Sequence, residues 1–452
     1  MTASPVSTVP PPATSLGSRP SGAKQLRPLV GKGVWGLGDQ MLISGTNFVT
    51  MVFLARALGP AAFGAFVLTY TVLQFANSLQ GALIIQPHSV LGATRQGREY
   101  VDYTASTCVA QLALAALAAL LAFVAAVVAY AWGWSVAPLL LALAPTAVAW
   151  QLQEFVRRVL YTELRFGAAF ANDVVSYGGQ TVAIVALAWL GELTAPRGLY
   201  AIAVTSAMAA AVGVWQLRSS LFGRFHWQAI DDNWRYGRWL GGAEIGYWLS
   251  SQMYLYLSGM MLGPLAAGVM KAGYVIFGPA RVLGFFLRTV LPTWFARTLA
   301  ADGKLGLHAQ IKMVYLASIP VLGAYCLLVA LLADPLVRLL YGDKYAGHTT
   351  VVVLYAVFAF TAFMASIVSS ALRAQRKTRY IFATQMAAMG TLPAGWLLIR
   401  QFGVEGAVAG MILTSLVLNV SYGWAYRRGL QQADPAAPTT VPTTAPQPGG
   451  AA

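Results

Sequence analysis

Long apolar runs, separated by short joints that are polar and mostly basic, set the pattern of this chain from residue 33 to residue 426. Twelve apolar segments can be read, at about 33–56, 63–86, 106–131, 136–153, 168–190, 198–217, 239–261, 265–290, 311–333, 348–371, 379–399 and 404–426. Each has about the length that carries a helix across a hydrocarbon core of roughly 30 Å at ~1.5 Å per residue. The segment at 136–153 is the weakest, because Pro145 interrupts it and the polar run 151–158 follows at once. The pattern predicts an all-α integral membrane protein of twelve transmembrane helices.

Composition agrees with the pattern. Over 452 residues, 58% are hydrophobic and 10% charged, whereas about a quarter of a soluble domain is charged. The net charge of +15 would suggest nucleic acid if it lay on one soluble face. Here the cations stand singly or in small groups between apolar segments, which excludes that reading and fits the positive-inside rule. Counting from an inside start, 22 Lys and Arg residues fall on one side and only Arg56, Arg197, Arg338, Lys344 and Arg400 on the other. Both termini are therefore expected in the cytoplasm.

The stretches 1–30 and 429–452, rich in Pro, Ser, Thr and Ala, read as disordered cytoplasmic arms, the first without the apolar core of a secretory signal. Between them lie a first bundle at 31–218, a linker at 219–237 and a second bundle at 238–428. The linker mixes Phe222, Phe225, Trp227 and Trp234 with Arg224, Arg235 and Arg238, suited to the cytoplasmic headgroup level; lipid-specific recognition is the competing reading. Cys108 and Cys326 stand far apart, and His88, His226, His308 and His348 have no ligand spacing, so neither a disulfide framework nor a metal or cofactor is expected.

The chain repeats itself. A shift of 204 aligns Gly33, Trp35, Gly38, Leu58, Gly59, Pro60, Ala62, Gly64, Tyr70, Ala76 and Leu79 with identical residues, among them Leu262, Gly263, Pro264, Ala266 and Gly268. Leu-Gly-Pro-x-Ala-x-x-Gly suits a tight turn between two helices in both halves. Since helices 1 and 7 start on the same side, the halves are parallel repeats, an architecture in which two bundles rock about a central cavity.

The eighth segment places Lys271 and Arg281 where lipid tails are expected, and Arg288 nearer the inner headgroups. A charge near the bilayer centre costs at least ~2.5 kcal/mol, so such residues face a bundle interior or a wet pathway. On one ideal helix Arg281 and Arg288 share a face, with Lys271 turned away by ~80°. A structural ion pair is the competing reading for Arg281, and a gating bend at Pro279 competes with a static kink. Asp39 and Glu244, near the inner ends of helices 1 and 7, are candidates to pair with these cations or to take a coupling proton or sodium ion. Gln40, Asn47, Gln74, Asn77, Ser251 and Gln252 supply uncharged donors to a cavity or to helix–helix contacts. Asp173, at the start of the fifth helix, reads as interfacial.

The run LARALGPAAFGAF, from Leu54 to Phe66, resembles the signature between the first two helices of polysaccharide-type lipid flippases, in the multidrug/oligosaccharidyl-lipid/polysaccharide (MOP) exporter superfamily. Ala61 and Ala62 depart from it, where an acidic residue is common. The resemblance implies a MATE/MOP-like fold of two six-helix bundles in a bacterial inner membrane, and translocation of a polyprenyl-pyrophosphate-linked oligosaccharide to the outer leaflet for surface polysaccharide. It further implies glycosyltransferases and a glycan polymerase as partners, besides the bilayer. A cation-coupled drug or metabolite exporter of the same superfamily would instead depend on Asp39 and Glu244. A membrane enzyme of glycan assembly would need large outer loops or paired outer carboxylates, and the outer loops are short.

Overall fold

Apolar runs of this length close their backbone hydrogen bonds within themselves, and the described residues are helical apart from short joints. The structure, a computed structural model, describes residues 22–375 and 378–431, and no strand occurs among them. Residues 1–21 and 432–452, and with them most of the two expected arms, lie outside the described residues; the first helix begins at Gly22, inside the stretch read as an arm. The first half comprises α1 (Gly22–Leu58), α2 (Pro60–Gln80), α3 (Gln86–Leu91), α4 (Gly97–Ala131), α5 (Ala137–Thr162), α6 (Phe166–Asp173), α7 (Gly179–Trp189) and α8 (Ala195–Gln216). A short α9 (Arg218–Leu221) leads to α10 (Trp227–Leu262). Then follow α11 (Pro264–Ile276), α12 (Gly278–Leu331), α13 (Ala333–Tyr341), α14 (Thr349–Ala374), α15 (Thr378–Met389) and α16 (Leu392–Gln431).

Among the described residues, eight helical stretches are long and apolar enough to cross a membrane. Four predicted spans are not uniform α-helices. The segments at 63–86 and 168–190 are interrupted by π-turns at Gly81–Ile85 and Val174–Gly178, that at 265–290 breaks at Phe277 between α11 and α12, and that at 379–399 breaks between Met389 and Leu392. Conversely, α12 and α16 each join two predicted segments across a glycine in the left-handed region, Gly303 (φ 67°) and Gly403 (φ 62°). The helix α5 also runs past the predicted end at residue 153, so Glu154 and Arg157 are helical.

The repeated motif does more than turn the chain. Gly59 and Gly263 adopt φ of 77° and 86°, and the prolines after them open α2 and α11 at the first helical position, where a missing N–H costs nothing. Five residues on, Gly64 and Gly268 bring these two helices together backbone on backbone. A Cβ on Gly64 would collide with the Pro264 carbonyl, and one on Gly268 with the Pro60 carbonyl. The two copies of the motif thus pack on each other, at the seam between the halves. Gly64→Ala should destabilise the protein by about 1–3 kcal/mol, the usual cost of overpacking, because backbone cannot rotate aside. An unchanged melting temperature would show that α2 and α11 separate freely.

The long helix α10 belongs to both halves. Near its start, Asn233 accepts from the Tyr103 hydroxyl and donates to Thr107 (3.2 Å), while Asp232 meets Arg95 at 2.8 Å, all on the first half. Gly237 rests on the Ala82 carbonyl, beside the π-turn Gly81–Ile85. Towards its other end, the Tyr254 hydroxyl bonds Thr414 (2.9 Å) and Thr391 (3.3 Å), with the Tyr254 ring seated where Gly395 and Gly410 lack side chains. In the linker before α10 Phe222 is exposed and the backbone N–H of Arg224 donates to Asp102 at 2.7 Å, while Trp227 and Trp234, exposed in the first turns of α10, show that the helix begins inside the expected linker.

Candidate functional site

Two charged centres lie in the two halves, and they differ in how their charge is balanced. In the first, Arg157 on α5 is buried, with its side chain 8% exposed, and holds three carboxylates: Asp173 (2.6 Å), Asp39 (2.9 Å) and Glu154 (3.0 Å). The Tyr161 hydroxyl also donates to Asp39, Gln153 donates to Asp173 at 3.1 Å, and Arg158 reaches Glu154 at 2.6 Å. Burying an ion is tolerated only when hydrogen-bonded partners replace its water, and here the guanidinium directs donors to three acids on three helices.

This centre changes three sequence expectations. Asp173, read as interfacial, is fully buried within the protein, its carboxylate held by Arg157 and Gln153. Arg157, counted among the inside cations, is inside the bundle. Asp39 is held by Arg157, 118 positions away, rather than by Lys271 or Arg281. The shift of 204 places Ala243 opposite Asp39, so the second half has no copy of this acid.

The second centre sits at the break in the eighth segment. Phe277 leaves the helical region (φ −85°, ψ 20°), and Gly278 and Pro279 start a new helix. A proline cannot close the hydrogen bond beneath it, which frees carbonyls at the end of α11. Tyr325 donates to the Ile276 carbonyl (3.2 Å) and Tyr341 to that of Ala272 (2.9 Å), so both hydroxyls brace the break. The break also redirects the side chains. Lys271 and Arg281 would diverge on a straight helix, but here both approach one ring, with Lys271 Nζ 5.2 Å and Arg281 Cζ 3.9 Å from the centre of Tyr274. Lys271 is half-buried, Arg281 is exposed, and among the described residues neither forms an ion pair. Two cations stacked on a phenol ring without an acid suit a ligand that brings its own negative charge.

The other predicted residues are scattered around these centres. Glu244 is half-buried, and Gln40 and Gln74 are exposed, with Gln40 donating to Ser44 at 3.2 Å. Asn47, Asn77 and Gln252 are half-buried; the buried side-chain oxygens of Asn47 and Asn77 have no hydrogen-bond partner among the described residues. Asn77 occupies the repeat position of Arg281. The side chains of Ser251 and Arg288 lie outside the described residues. Sequence reasoning missed Glu154 and Tyr274. Glu154 and Arg157 stand three apart, a spacing that marks a helical pair, but they follow the predicted end of a span. Tyr274 carried no signal beyond its repeat with Tyr70.

This all-helical fold is that of solved transporters of the MOP superfamily. An inward-facing multidrug resistance MATE family transporter of that superfamily aligns with a TM-score of 0.72 at 12% identity, over 86% of this chain and 94% of that one. The lipid II flippase MurJ, in an inward closed conformation, aligns at 0.64 with 11% identity over 89% of each chain. An outward-facing MATE transporter aligns at 0.54 with 13% identity over 88% of this chain and 91% of that one. No curated protein sequence matches the chain. The model of the polysaccharide biosynthesis protein family matches residues 53–350, and the chain belongs to that family.

Proposed function

We propose that this protein is a transporter that moves a polyprenyl-pyrophosphate-linked oligosaccharide from the cytoplasmic to the outer leaflet of a bacterial inner membrane, by rocking its two lobes. The observation that carries this reading is the pair Lys271 and Arg281, converging on Tyr274 without a carboxylate partner among the described residues. A pyrophosphate supplies the missing negative charge, and the guanidinium fork can grip two of its oxygens. The family's description and the likeness to a lipid II flippase support a glycan on the lipid. The uneven distribution of Lys and Arg supports cytoplasmic termini. Glycosyltransferases that build the glycan and a polymerase that receives it are the partners this role requires. A cation-coupled exporter is less well served, because Arg157 already occupies the acids around Asp39.

Inorganic pyrophosphate tests the assignment directly. At a concentration 100 times its Kd, a ligand of the folded protein stabilises it by about 2.7 kcal/mol. The purified protein should therefore melt higher with pyrophosphate, and the Lys271→Met, Arg281→Ala double variant should lose that increase. An equal increase in both would remove these residues from the site.

A further inference from the structure

We propose that Arg56 and Lys344 form a reciprocal latch across the seam, at the end of the bundle where α1 ends at Leu58, and that the lobes part there only when it releases. Arg56, in the last turn of α1, donates from Nη1 to the Leu339 carbonyl at 3.0 Å, in the last turn of α13. Lys344, three residues past α13, reaches the opposite way. Its Nζ donates to the Ala57 carbonyl at 3.4 Å, in the last turn of α1. Each cation therefore meets the carbonyl end of a helix in the other half, where backbone acceptors lack partners within the helix and the helix dipole is negative.

The surroundings explain why these two bonds carry the closure. Arg338, on the same short helix, is neutralised locally by Asp334 (2.9 Å) and Asp343 (3.5 Å), whereas among the described residues Arg56 and Lys344 form no ion pair. The lysine side chain runs past the turn after α1, its Cδ 3.4 Å from where a Cβ on Gly59 would stand, in ordinary van der Waals contact. Beside the latch lies a half-open groove of about 510 Å³ lined by Val52, Phe53, Trp189 and Leu340, with Arg56 in its wall. The next closure is the backbone contact of Gly64 with Gly268, which has no side chains to interlock. Closure at this end also agrees with the higher TM-score to the inward-facing transporter than to the outward-facing one.

The latch rests on the reading of two rocking lobes, and its test does not need the substrate. Spin labels at Ser135→Cys, in the turn before α5, and Gln401→Cys, in α16 two residues before its kink at Gly403, are both exposed and lie on different halves; they report the separation of the lobes by double electron–electron resonance. The full chain is used, with Cys108→Ser and Cys326→Ala. Arg56→Met and Lys344→Met should each raise the wide-distance population at least about fivefold, the low end for coupled sites, and the double variant further. Arg56→Lys keeps a donor and should stay near the parent distribution. An unchanged distribution in the double variant would overturn the latch. Pyrophosphate binding is measured on the same samples, so loss of binding with the distance shift intact counts against the carrier assignment alone.

Discussion

Arg157→Met should cost the fold about 3–5 kcal/mol, the range found when one partner of a buried ion pair is removed. Three carboxylates depend on that guanidinium, at 2.6, 2.9 and 3.0 Å, and the methionine that replaces it fills the space without donating. Against a total stability of roughly 5–15 kcal/mol such a loss is large, and the variant should appear at low abundance and melt well below the parent. Arg158→Met provides the contrast. It also reaches Glu154, but its side chain is 46% exposed, and a screened pair is worth at most ~1 kcal/mol. Adding Asp39→Asn and Asp173→Asn to Arg157→Met should restore part of the loss, because the uncompensated charges go with their partner. If Arg157→Met melts within about 1 kcal/mol of the parent, water must already reach the centre, contrary to the burial of Asp173.

Arg281→Ala should stop surface polysaccharide in cells, reducing it more than about tenfold, while the protein stays at its normal abundance. The separation of the two effects follows from the structure. Arg281 is exposed and stacks on Tyr274, so its removal leaves no buried acid behind. Arg281→Lys should recover only part of the activity, since an ammonium keeps the charge but loses the two-pronged geometry. Surface polysaccharide at the parent level in Arg281→Ala, with normal abundance, would show that the cation has no part in transport.

Much of the architecture is legible in the order of residues. Apolar run length depends only on neighbours along the chain, and so does the Gly-Pro turn that opens α2 and α11. The repeat exposed the relation between the halves, and a cation in an apolar run drew attention to Lys271 and Arg281 without any structure. The break between α11 and α12 was foreshadowed by Gly278 and Pro279, but its consequence was not. Only with the bend in place do two side chains that diverge on an ideal helix converge on one ring.

By itself, the sequence determined a helical membrane protein with a repeated glycine–proline motif and with cations inside an apolar segment. The tertiary structure decided which charges are neutralised. It joined Asp39, Glu154 and Asp173 to Arg157, left Lys271 and Arg281 without an acid among the described residues, and set the two copies of one glycine motif against each other. Hydrophobic length and turn chemistry are local properties. Ion pairing and backbone contact depend on how helices are rotated and brought together across more than a hundred residues.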